Sequence, residues 1–375
     1  MSALFSNVSQ LNWQQVVMWC IGGLLIYLAI RKDMEPTLLL PLGFGAILVN
    51  LPMSGAVTQV YDGIAEIGVI DVLFDAGIAS ELFPLLLFVG IGAMIDFEPL
   101  LTNPKLMIFG AAAQFGIFFT LSLAALFGFD LKDAASIAII GAADGPTSIF
   151  VANYFHSKYI GAIMVAAYSY MALVPVVQPP VIKLLTTKQE RRIRMVYQQR
   201  SVSKITKILF PIAITVITGI VSPRSVALIG FLMFGNLIRE CGVLDSLSET
   251  AQKVLANLVT LFLGITIATK MQAQYFLTAE TLLILGLGLV AFVFDTAGGV
   301  IFAKILNLFL PKDSKINPMI GAAGISAFPM SARVVHKLGR AEDPQNFLLM
   351  PAVGVNVSGQ IASVIAGGLI LNLLG

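Results

Sequence analysis

Long, continuous apolar runs recur along the whole of this chain, and they constrain its fold more than any other feature of the sequence. Residues 106–129 and 160–185 are two of them, and each exceeds the roughly 20 residues that a helix needs to cross a bilayer. The runs lack the alternation of polar and apolar residues that marks the strands of a membrane barrel. Only 12% of the residues are charged, about half the level of a soluble domain. The sequence therefore predicts an all-α, polytopic membrane protein.

The apolar runs divide into ten predicted spans, with polar or glycine- and proline-rich interruptions between them. The predicted spans are residues 15–30, 37–52, 82–95, 106–129, 160–185, 206–220, 225–238, 255–271, 282–310 and 347–374. Two further stretches, 64–80 and 243–258, are predicted to be amphipathic or interfacial. Two more apolar segments, 133–155 and 316–336, are interrupted at their centres.

One loop is strongly basic and indicates its side of the membrane. Its basic residues, which only Glu190 opposes, are Lys188, Arg191, Arg192, Arg194, Arg200, Lys204 and Lys207. Short loops rich in Lys and Arg stay on the cytoplasmic side, so we expect residues 188–207 inside and the chain start near Met1 outside. Binding of nucleic acid or lipid is an alternative interpretation of this run, and the topological one is favoured. The expected location is the cell (inner) membrane of a bacterium or archaeon.

Two other features narrow the class of protein. Cys20 and Cys241 lack the spacing of a zinc site and do not make a disulfide framework. Residues 1–15 contain no basic residue and no A-x-A cleavage site, so we expect no cleaved signal peptide at this end.

Three pairs of similar segments occur in the same order and indicate an internal duplication. The pairs are Gly43-Phe44 with Gly230-Phe231, residues 88–95 with 262–269, and residues 140–144 with 320–324. The first unit begins after the basic Arg31 and Lys32, hence inside. The second begins near Ser222, one span after the basic loop, hence outside. Copies that begin on opposite sides are inverted repeats, a common plan of secondary transporters.

The duplication divides the chain into four parts. Residues 1–36 are the N-terminal span and a cytoplasmic turn, and residues 37–186 are the first repeat. Residues 187–221 are the basic loop and a connecting span, and residues 222–375 are the second, inverted repeat. Each repeat contains one of the two interrupted segments. The predicted fold is therefore transporter-like, with two broken or re-entrant helices that meet near the membrane midplane.

The first interrupted segment, 133–155, carries Asp144-Gly145-Pro146 at its centre. Its proline cannot donate a backbone hydrogen bond and disfavours helical geometry in the residue before it, so we predict a helix break at Gly145-Pro146. Irregular backbone at membrane depth is tolerated where it lines a cavity or is buried in protein. A carboxylate there is costly and by default functional. The break presents a set of oxygen ligands suited to sodium: the Asp144 carboxylate, the Thr147 and Ser148 hydroxyls and the freed carbonyl groups.

The second interrupted segment, 316–336, has the same design with different side chains. Its notable residues are Asn317, Gly324, Ser326, Pro329, Ser331 and the single cation Arg333. Two broken segments at matching places in inverted repeats indicate a binding site near the midplane. Each segment could instead be a surface re-entrant loop or a proline-kinked helix. The serines could also bond back to their own helix.

The last span carries a third polar cluster, made of Asn356, Ser358, Gln360 and Ser363. Asn356 and Ser363 are seven residues apart and share a helix face, and Gly359 between them permits a close approach. This face could contribute to an ion site or serve only for helix packing.

Asp295 is a further acid within an apolar run, 282–310. It could pair with Lys304 or with Lys270, or it could belong to a second ion site. The residues alone leave these alternatives open.

Four runs resemble the beta subunits of the biotin-dependent, sodium-translocating decarboxylases, which comprise the oxaloacetate, methylmalonyl-CoA and glutaconyl-CoA decarboxylase sodium pumps. The runs are residues 141–150 (GAADGPTSIF), 166–175 (AAYSYMALVP), 178–180 (QPP) and 339–350 (GRAEDPQNFLLM). The resemblance covers essentially the whole chain, and runs of this length are far more specific than a spaced motif.

The resemblance implies roles for particular residues. Asp144 falls on the family's essential carboxylate for sodium and protons, and Tyr170 on its functional tyrosine. Arg333, with Ser326, would hold the carboxylate of carboxybiotin by charge-assisted hydrogen bonds, and Arg333 would be catalytic with Asp144 and Tyr170. The implied sodium ligands are Asp144, Asn317, Gly321, Ser326 and Asn356.

The resemblance also implies a mechanism and partners. A carboxyltransferase subunit loads biotin on a biotin carrier, and this subunit decarboxylates the carboxybiotin, consumes a proton and exports sodium. The expected cofactors are sodium ion and the partner's biotin. A small membrane subunit of the gamma or delta type and a homotrimer are also expected, and nucleic acid is not. From the residues alone, the main alternative is a sodium-coupled secondary transporter, such as a carboxylate symporter or a cation/proton antiporter, and the long family-like runs favour the pump.

Overall fold

Helices account for most of the residues that the computed structural model describes, which are 11–32, 34–61, 63–195, 201–311 and 314–375. A helix satisfies its own backbone hydrogen bonds, which is the requirement for apolar runs that have no water beside them. The α-helices are, in chain order, α1 (Trp13–Lys32), α2 (Pro36–Val49), α3 (Val69–Phe74), α4 (Leu82–Met94), α5 (Glu98–Thr102), α6 (Met107–Ala113), α7 (Phe115–Leu126), α8 (Leu131–Ala138), α9 (Gly145–Tyr154), α10 (Ile160–Leu185), α11 (Lys188–Arg191), α12 (Lys204–Val221), α13 (Val226–Glu240), α14 (Asp245–Glu249), α15 (Ala256–Ile267), α16 (Ala273–Phe276), α17 (Ala279–Phe309), α18 (Met330–Glu342) and α19 (Leu349–Leu374).

Shorter elements join these helices. The 3-10 helices are Pro104–Leu106, Ile139–Ala142, Pro223–Ser225, Ala268–Met271 and Pro318–Gly324, and the π-helical turns are Asp75–Ala79 and Thr250–Leu255. Two strands, β1 (Gln59–Tyr61) and β2 (Ile64–Glu66), form an antiparallel hairpin in which Tyr61 pairs with Ile64.

Within the described residues, seven helical segments are long and apolar enough to cross a membrane. They are Trp13–Lys32, Pro104–Leu126, Ile160–Leu185, Lys204–Val221, Asp245–Met271, Ala279–Phe309 and Leu349–Leu374. An eighth candidate is a pair of helical segments, Val69–Ala79 and Leu82–Met94, bent by 61°. The prediction of an all-α polytopic membrane protein is therefore confirmed.

One stretch that is predicted to be amphipathic or interfacial, 243–258, leads into a candidate span. It runs without a break through the π-helical turn into α15, which makes the 27-residue segment Asp245–Met271. Glu249 and Lys253 pair with each other at 2.6 Å on the exposed side of this helix. Residues 245–253 are mostly polar, so the apolar part of the candidate span begins after them.

The first interrupted segment is a helical hairpin, here called the first hairpin, made of α8, the 3-10 helix Ile139–Ala142 and α9. The chain turns at Ala143, which has a left-handed backbone (φ 51°), and at Asp144, which is extended. The Ser157 hydroxyl, just beyond the hairpin, donates a hydrogen bond of 2.6 Å to the Asp133 carboxylate in α8. The two ends of the hairpin therefore meet, and Asp144 lies at its tip.

The break in this hairpin falls two residues earlier than the sequence predicts. Gly145 and Pro146 are the first two residues of α9, and the residues outside helical geometry are Ala143 and Asp144. Proline is tolerated in a first helical turn, because the N–H groups there have no acceptor within the helix. Pro146 therefore starts the outgoing helix.

The second interrupted segment is also a hairpin, here called the second hairpin, made of the 3-10 helix Pro318–Gly324 and α18 with residues 325–329 at its tip. Its ends meet at the basic loop. The Asn317 side chain donates to the Arg191 carbonyl at 2.9 Å, and the Glu342 carboxylate pairs with the Arg191 guanidinium at 2.7 Å. Arg200, which belongs to the predicted basic loop, lies outside the described residues.

The tips of the two hairpins touch. The Ser326 backbone N–H donates a hydrogen bond of 2.9 Å to the Ala142 carbonyl. This bond joins the two interrupted segments directly through their backbones.

A line of close backbone contacts, here called the glycine seam, packs the second hairpin against α17 and α19. A Cβ atom at Gly299 would lie 2.0 Å from the Gly321 carbonyl oxygen, and one at Gly359 would lie 2.2 Å from the Gly324 carbonyl oxygen. Real Cβ atoms essentially never come that close to another heavy atom. Helices approach this closely where small residues face each other.

Candidate ion-binding site

Asp144 is buried at the tip of the first hairpin, with 3% of its surface exposed. Its carboxylate caps α9: it accepts the Thr147 N–H at 3.3 Å and the Thr147 hydroxyl at 2.7 Å. The first N–H groups of a helix have no acceptor within it, and the N-terminus of a helix favours negative charge. The helix break therefore places the carboxylate at the N-terminus of α9, where the free N–H groups favour its charge.

Helix α19 brings two more donors to the same carboxylate. The Ser363 hydroxyl donates to Asp144 Oδ2 at 2.9 Å, and the Gln360 side-chain amide donates to it at 3.3 Å. Among the described residues, no Lys, Arg or His forms an ion pair with Asp144. A buried anion with neutral donors and no cationic side chain is costly, and a small cation would complete the site.

The second hairpin and α19 place another oxygen beside the touching tips. Asn356 is one helical turn before Gln360, and its side-chain N–H donates to the Ile325 carbonyl at 2.7 Å. Its Oδ1 is buried and accepts no hydrogen bond within the described part of the chain. The Ser326 hydroxyl donates to the Gly359 carbonyl at 3.2 Å. Asp144, Ser326 and Asn356 are thus brought together.

Tyr168 lies nearer to this site than Tyr170 does. A Cβ atom at Gly145 would lie 2.4 Å from the Tyr168 ring, so this ring packs on the start of α9. The Tyr168 hydroxyl is buried and has no hydrogen-bond partner among the described residues. Residues two apart on a helix face in different directions, and the Tyr170 hydroxyl donates instead to the Leu285 carbonyl in α17.

Two of the residues singled out from the sequence, Asn317 and Gly321, lie away from Asp144. Asn317 is at the outer end of the second hairpin, where it also donates to the Ile193 carbonyl at 2.8 Å. Gly321 packs on α17 in the glycine seam. The 3-10 helix between Asn317 and the tip rises about 2 Å per residue, which separates Asn317 from the tip by more than a ligand distance.

Arg333 lies on the first turns of α18 with its side chain exposed. Its guanidinium makes no hydrogen bond or ion pair with the described residues. Lys337 and Arg340 are exposed on the same helix at helical spacing. This row of exposed cations leads along the second hairpin from near its tip to its outer end.

Sequence reasoning missed two contacts that support the site. Gln178 in α10 donates to the Ala322 carbonyl at 2.8 Å and accepts the Ser331 hydroxyl at 3.0 Å, so it bridges both arms of the second hairpin. A buried amide inside the apolar run 160–185 was the available signal for it. Tyr168 gave no signal of its own, because only the packing of α10 determines which of its faces meets α9.

Arg191 ties the basic loop to the second hairpin and is itself only 6% exposed. Besides Asn317, the Asn346 side chain donates to its carbonyl, also at 2.9 Å. Its guanidinium donates to the Thr186 carbonyl and to Glu342. The hydrogen bond from Arg191 lowers the pKa of the Glu342 carboxyl.

Comparison with known proteins identifies similar sequences along the whole length. The family model described as the Na+-transporting oxaloacetate decarboxylase beta subunit matches residues 14–374. The glutaconyl-CoA decarboxylase subunit beta of Acidaminococcus fermentans is 48% identical over 97% of this chain and 94% of its own. The methylmalonyl-CoA decarboxylase subunit beta of Propionigenium modestum is 46% identical, over 97% and 96%. The probable oxaloacetate decarboxylase beta chain of Vibrio cholerae is 43% identical, over 96% and 95%.

Proposed function

The chain belongs to the family of sodium-transporting oxaloacetate decarboxylase beta subunits, and we propose from this that it is the membrane subunit of a sodium-pumping decarboxylase. In the proposed reaction it decarboxylates carboxybiotin that a partner subunit delivers, which releases carbon dioxide and consumes a proton. This reaction drives sodium export. The choice of acid or CoA ester belongs to the carboxyltransferase subunit. We do not adopt the alternative function, a sodium-coupled secondary transporter, because the relatives are named as decarboxylase subunits.

The proposed sodium site centres on Asp144. The observation that carries it is a buried carboxylate with neutral donors and no cationic partner at the meeting point of two helical hairpins. The Asn356 Oδ1 and the Ser326 hydroxyl are proposed as further ligands, since both lie beside the touching tips. Asn317 and Gly321 lie elsewhere on the second hairpin, so we propose that they act by positioning it.

We propose that the two hairpins enter the membrane from opposite sides, as inverted repeats require. The first hairpin ends just before α10, and α10 leads to the basic loop that holds both ends of the second hairpin. At 1.5 Å per residue, the 26 residues of α10 span about 39 Å, enough to cross a bilayer. The tips would then meet near the midplane.

Arg333 is proposed to receive the substrate. Its exposed guanidinium has no partner among the described residues. Its N–H groups are therefore free to donate a pair of hydrogen bonds to the carboxylate of carboxybiotin. Ser326 lies on the same hairpin and is proposed to assist. The expected partners are a carboxyltransferase subunit, a biotin carrier and a small membrane subunit, with three copies of this chain in the complex.

The test is the substitution Asp144→Asn in the assembled complex, reconstituted into vesicles. Loss of the negative charge should abolish both sodium-stimulated decarboxylation and sodium uptake. Asp133→Asn is the matched control, because Asp133 is on the same hairpin but at its base, and this variant should keep both activities. An assembled Asp144→Asn complex that pumps sodium at the parental rate would remove Asp144 from the ion path.

A further inference from the structure

Gln178 is a buried amide in α10 that holds both arms of the second hairpin. Its Nε2 donates to the Ala322 carbonyl at 2.8 Å, and its Oε1 accepts the Ser331 hydroxyl at 3.0 Å. The same hydroxyl lies within hydrogen-bonding distance of the Ala322 carbonyl, also at 3.0 Å. All three residues are fully buried. Their polar groups, here called the amide bridge, form a closed triangle inside the protein.

The chemistry of the partners determines how this amide is oriented. A carbonyl oxygen only accepts, so Nε2 must face Ala322, and this leaves Oε1 to accept from Ser331. The amide also reaches the Thr296 hydroxyl in α17, at the longer distance of 3.5 Å. A polar side chain buried in an apolar helix is costly unless such partners are present. Gln178 is therefore explained by its hydrogen bonds and not by apolar packing.

The buried acid of α17, Asp295, does not account for Gln178. One oxygen of Asp295 accepts a backbone N–H in the first turn of α7 at 3.1 Å, and no hydrogen bond joins it to Gln178 in the described part of the chain. The pairing alternatives that the sequence left open for Asp295 are also wrong. Lys304 pairs with Glu190 at 3.2 Å, and the Lys270 ammonium lies over an aromatic ring, 4.2 Å from its centre. The amide bridge thus serves the second hairpin.

The amide bridge lies between the two ends of the proposed mechanism. Ser331 is in the first turn of α18, two residues before Arg333. Ala322 is four residues before Ser326, whose N–H joins the Ala142 carbonyl of the first hairpin at 2.9 Å. The bridge therefore ties the arm that carries the proposed substrate-binding cation to the arm that leads to the proposed sodium site.

Helix α10 also contacts the first hairpin, through Tyr168, whose ring packs on Gly145 at the start of α9. Gln178 is ten residues further along the same helix, a distance of about 15 Å. One helix thus contacts both hairpins with buried side chains, an aromatic ring on one and an amide on the other.

Sodium export driven by decarboxylation requires that the substrate end and the ion end of the second hairpin respond to each other. Between them lies the tip, residues 325–329, which is not a regular helix and would absorb a movement of α18. We propose that Gln178 is a positioning residue that makes α10 and both arms of the second hairpin move as one body. Carboxybiotin bound at Arg333 then changes the sodium site at the tip. The inference rests on the proposed sodium-pumping function, and Gln178 itself touches neither substrate nor sodium.

The test is the number of sodium ions taken up per carboxybiotin decarboxylated, measured on assembled complexes in vesicles. Gln178→Met keeps the length of the side chain but removes its hydrogen bonds. It should lower this ratio by roughly fivefold, the lower end of the range for coupling between two sites. Loss of a merely structural contact would reduce the amount of complex, or both rates together, and would leave the ratio unchanged. An assembled Gln178→Met complex with the parental ratio would overturn the inference.

Asn236→Leu is the matched control. Asn236 is a buried amide of α13 that donates to two carbonyl groups near the end of α4, and neither helix belongs to a hairpin. This variant should keep the parental ratio even if less complex assembles. A ratio that falls as far as in Gln178→Met would show that loss of any buried amide uncouples the pump, and it would contradict a specific role for Gln178.

Ser331→Ala covers the case in which Gln178→Met does not assemble. It removes one hydroxyl from the amide bridge and should lower the same ratio, whereas Ser331→Thr keeps the hydroxyl and should stay closer to the parent. A parental ratio in Ser331→Ala would contradict the bridge. Where both single variants assemble, the double variant should be little worse than Gln178→Met, because the two residues act through one bridge. A parent complex that decarboxylates without taking up sodium would instead overturn the proposed function, and this inference with it.

Discussion

At the scale of single residues, Tyr168 and Tyr170 show how position on a helix separates two similar side chains. Tyr168 packs on the start of α9 with a buried hydroxyl that has no partner among the described residues. Tyr170 reaches α17 and donates to the Leu285 carbonyl. The hydroxyl closer to the proposed sodium site is therefore that of Tyr168, whereas Tyr170 contacts the helix that carries Asp295.

The two tyrosines should respond differently to removal of the hydroxyl. Tyr168→Phe should change the sodium concentration for half-maximal activity by roughly fivefold, the equivalent of about 1 kcal/mol for one hydrogen-bonding group. Tyr170→Phe should lower the maximal rate with little change in that concentration, because it alters α17 and not the Asp144 site. Decarboxylation measured over a range of sodium concentrations distinguishes them. A larger shift in sodium dependence for Tyr170→Phe than for Tyr168→Phe would contradict the assignment.

Arg333 permits a test of substrate binding that leaves its charge in place. Arg333→Lys keeps the cation but loses the planar pair of donors that fits a carboxylate. Decarboxylation should fall by roughly ten- to a hundredfold, the range for hydrogen bonds to charged groups, while sodium binding stays near the parental level. Lys337→Ala, on the same row of cations, is the control and should retain most of the activity. A lysine variant with parental turnover would make Arg333 a surface charge only.

Asp144 could be predicted from sequence as a candidate functional residue, because a carboxylate beside glycine and proline in an apolar run has few structural explanations. Gln360 and Ser363 were visible as a polar face of α19, but not as donors to Asp144. That contact depends on how α19 rotates against the first hairpin. Whether Tyr168 or Tyr170 faces α9 also depends on packing, and sequence spacing shows only that the two face different ways.

At the scale of elements, the two hairpins differ in how their breaks are made. The first breaks over two residues, Ala143 and Asp144, and starts again with proline in the first turn of α9. The second breaks over residues 325–329 and follows a 3-10 helix. Breaks in both segments were predictable from glycine and proline. The meeting of each hairpin's ends was not, because the hydrogen bonds that join them connect residues far apart in sequence.

The contact between Arg191 and Glu342 should stabilise the second hairpin in a pH-dependent way. The hydrogen bond from Arg191 lowers the pKa of Glu342 below its ordinary value of 4.5 in the folded protein. Its contribution is therefore complete above that ordinary value and is lost as the pH falls through the lowered one. Glu342→Gln should lower the midpoint of thermal unfolding by roughly 2 to 4 °C at neutral pH.

Thermal unfolding of the parent and Glu342→Gln complexes at several pH values tests this expectation. The difference between them should be constant from pH 7 down to about 5 and should shrink below pH 4. Glu249→Gln is a suitable control, because Glu249 pairs with Lys253 on an exposed helix face. A difference between parent and Glu342→Gln that grows as the medium becomes acidic would exclude the ion pair as its cause.

At the scale of the whole molecule, α10 connects the first hairpin to the basic loop, which in turn contacts the second hairpin. Lys158, just before this helix, and Lys188, just after it, are both exposed. If α10 crosses the membrane with the basic loop inside, these two positions face opposite compartments. Apolar length predicted the crossing from sequence alone. The contacts that tie the second hairpin to the basic loop required the structure.

Cysteine labelling of these two positions tests the arrangement. In a background with Cys20 and Cys241 replaced by serine, Lys158→Cys should react with an impermeant thiol reagent in intact cells. Lys188→Cys should react only after the cells are opened. Labelling of Lys188→Cys in intact cells would invert the topology, and with it the direction of pumping.

The glycine seam also affects which substitutions this protein can tolerate. At Gly299 and Gly359 even the smallest added side chain would meet a carbonyl oxygen of the second hairpin at about 2 Å, so alanine there should be as harmful as a large residue. A saturation screen for loss of pumping would then rank Gly299 and Gly359 beside Asp144, although neither glycine touches an ion. The amount of assembled complex, which such a screen does not record, would distinguish the two kinds of variant. Asp144→Asn complexes should accumulate normally, and complexes with a substituted seam glycine should not. Natural variation along the seam should accordingly be narrower than at many polar positions of the site itself.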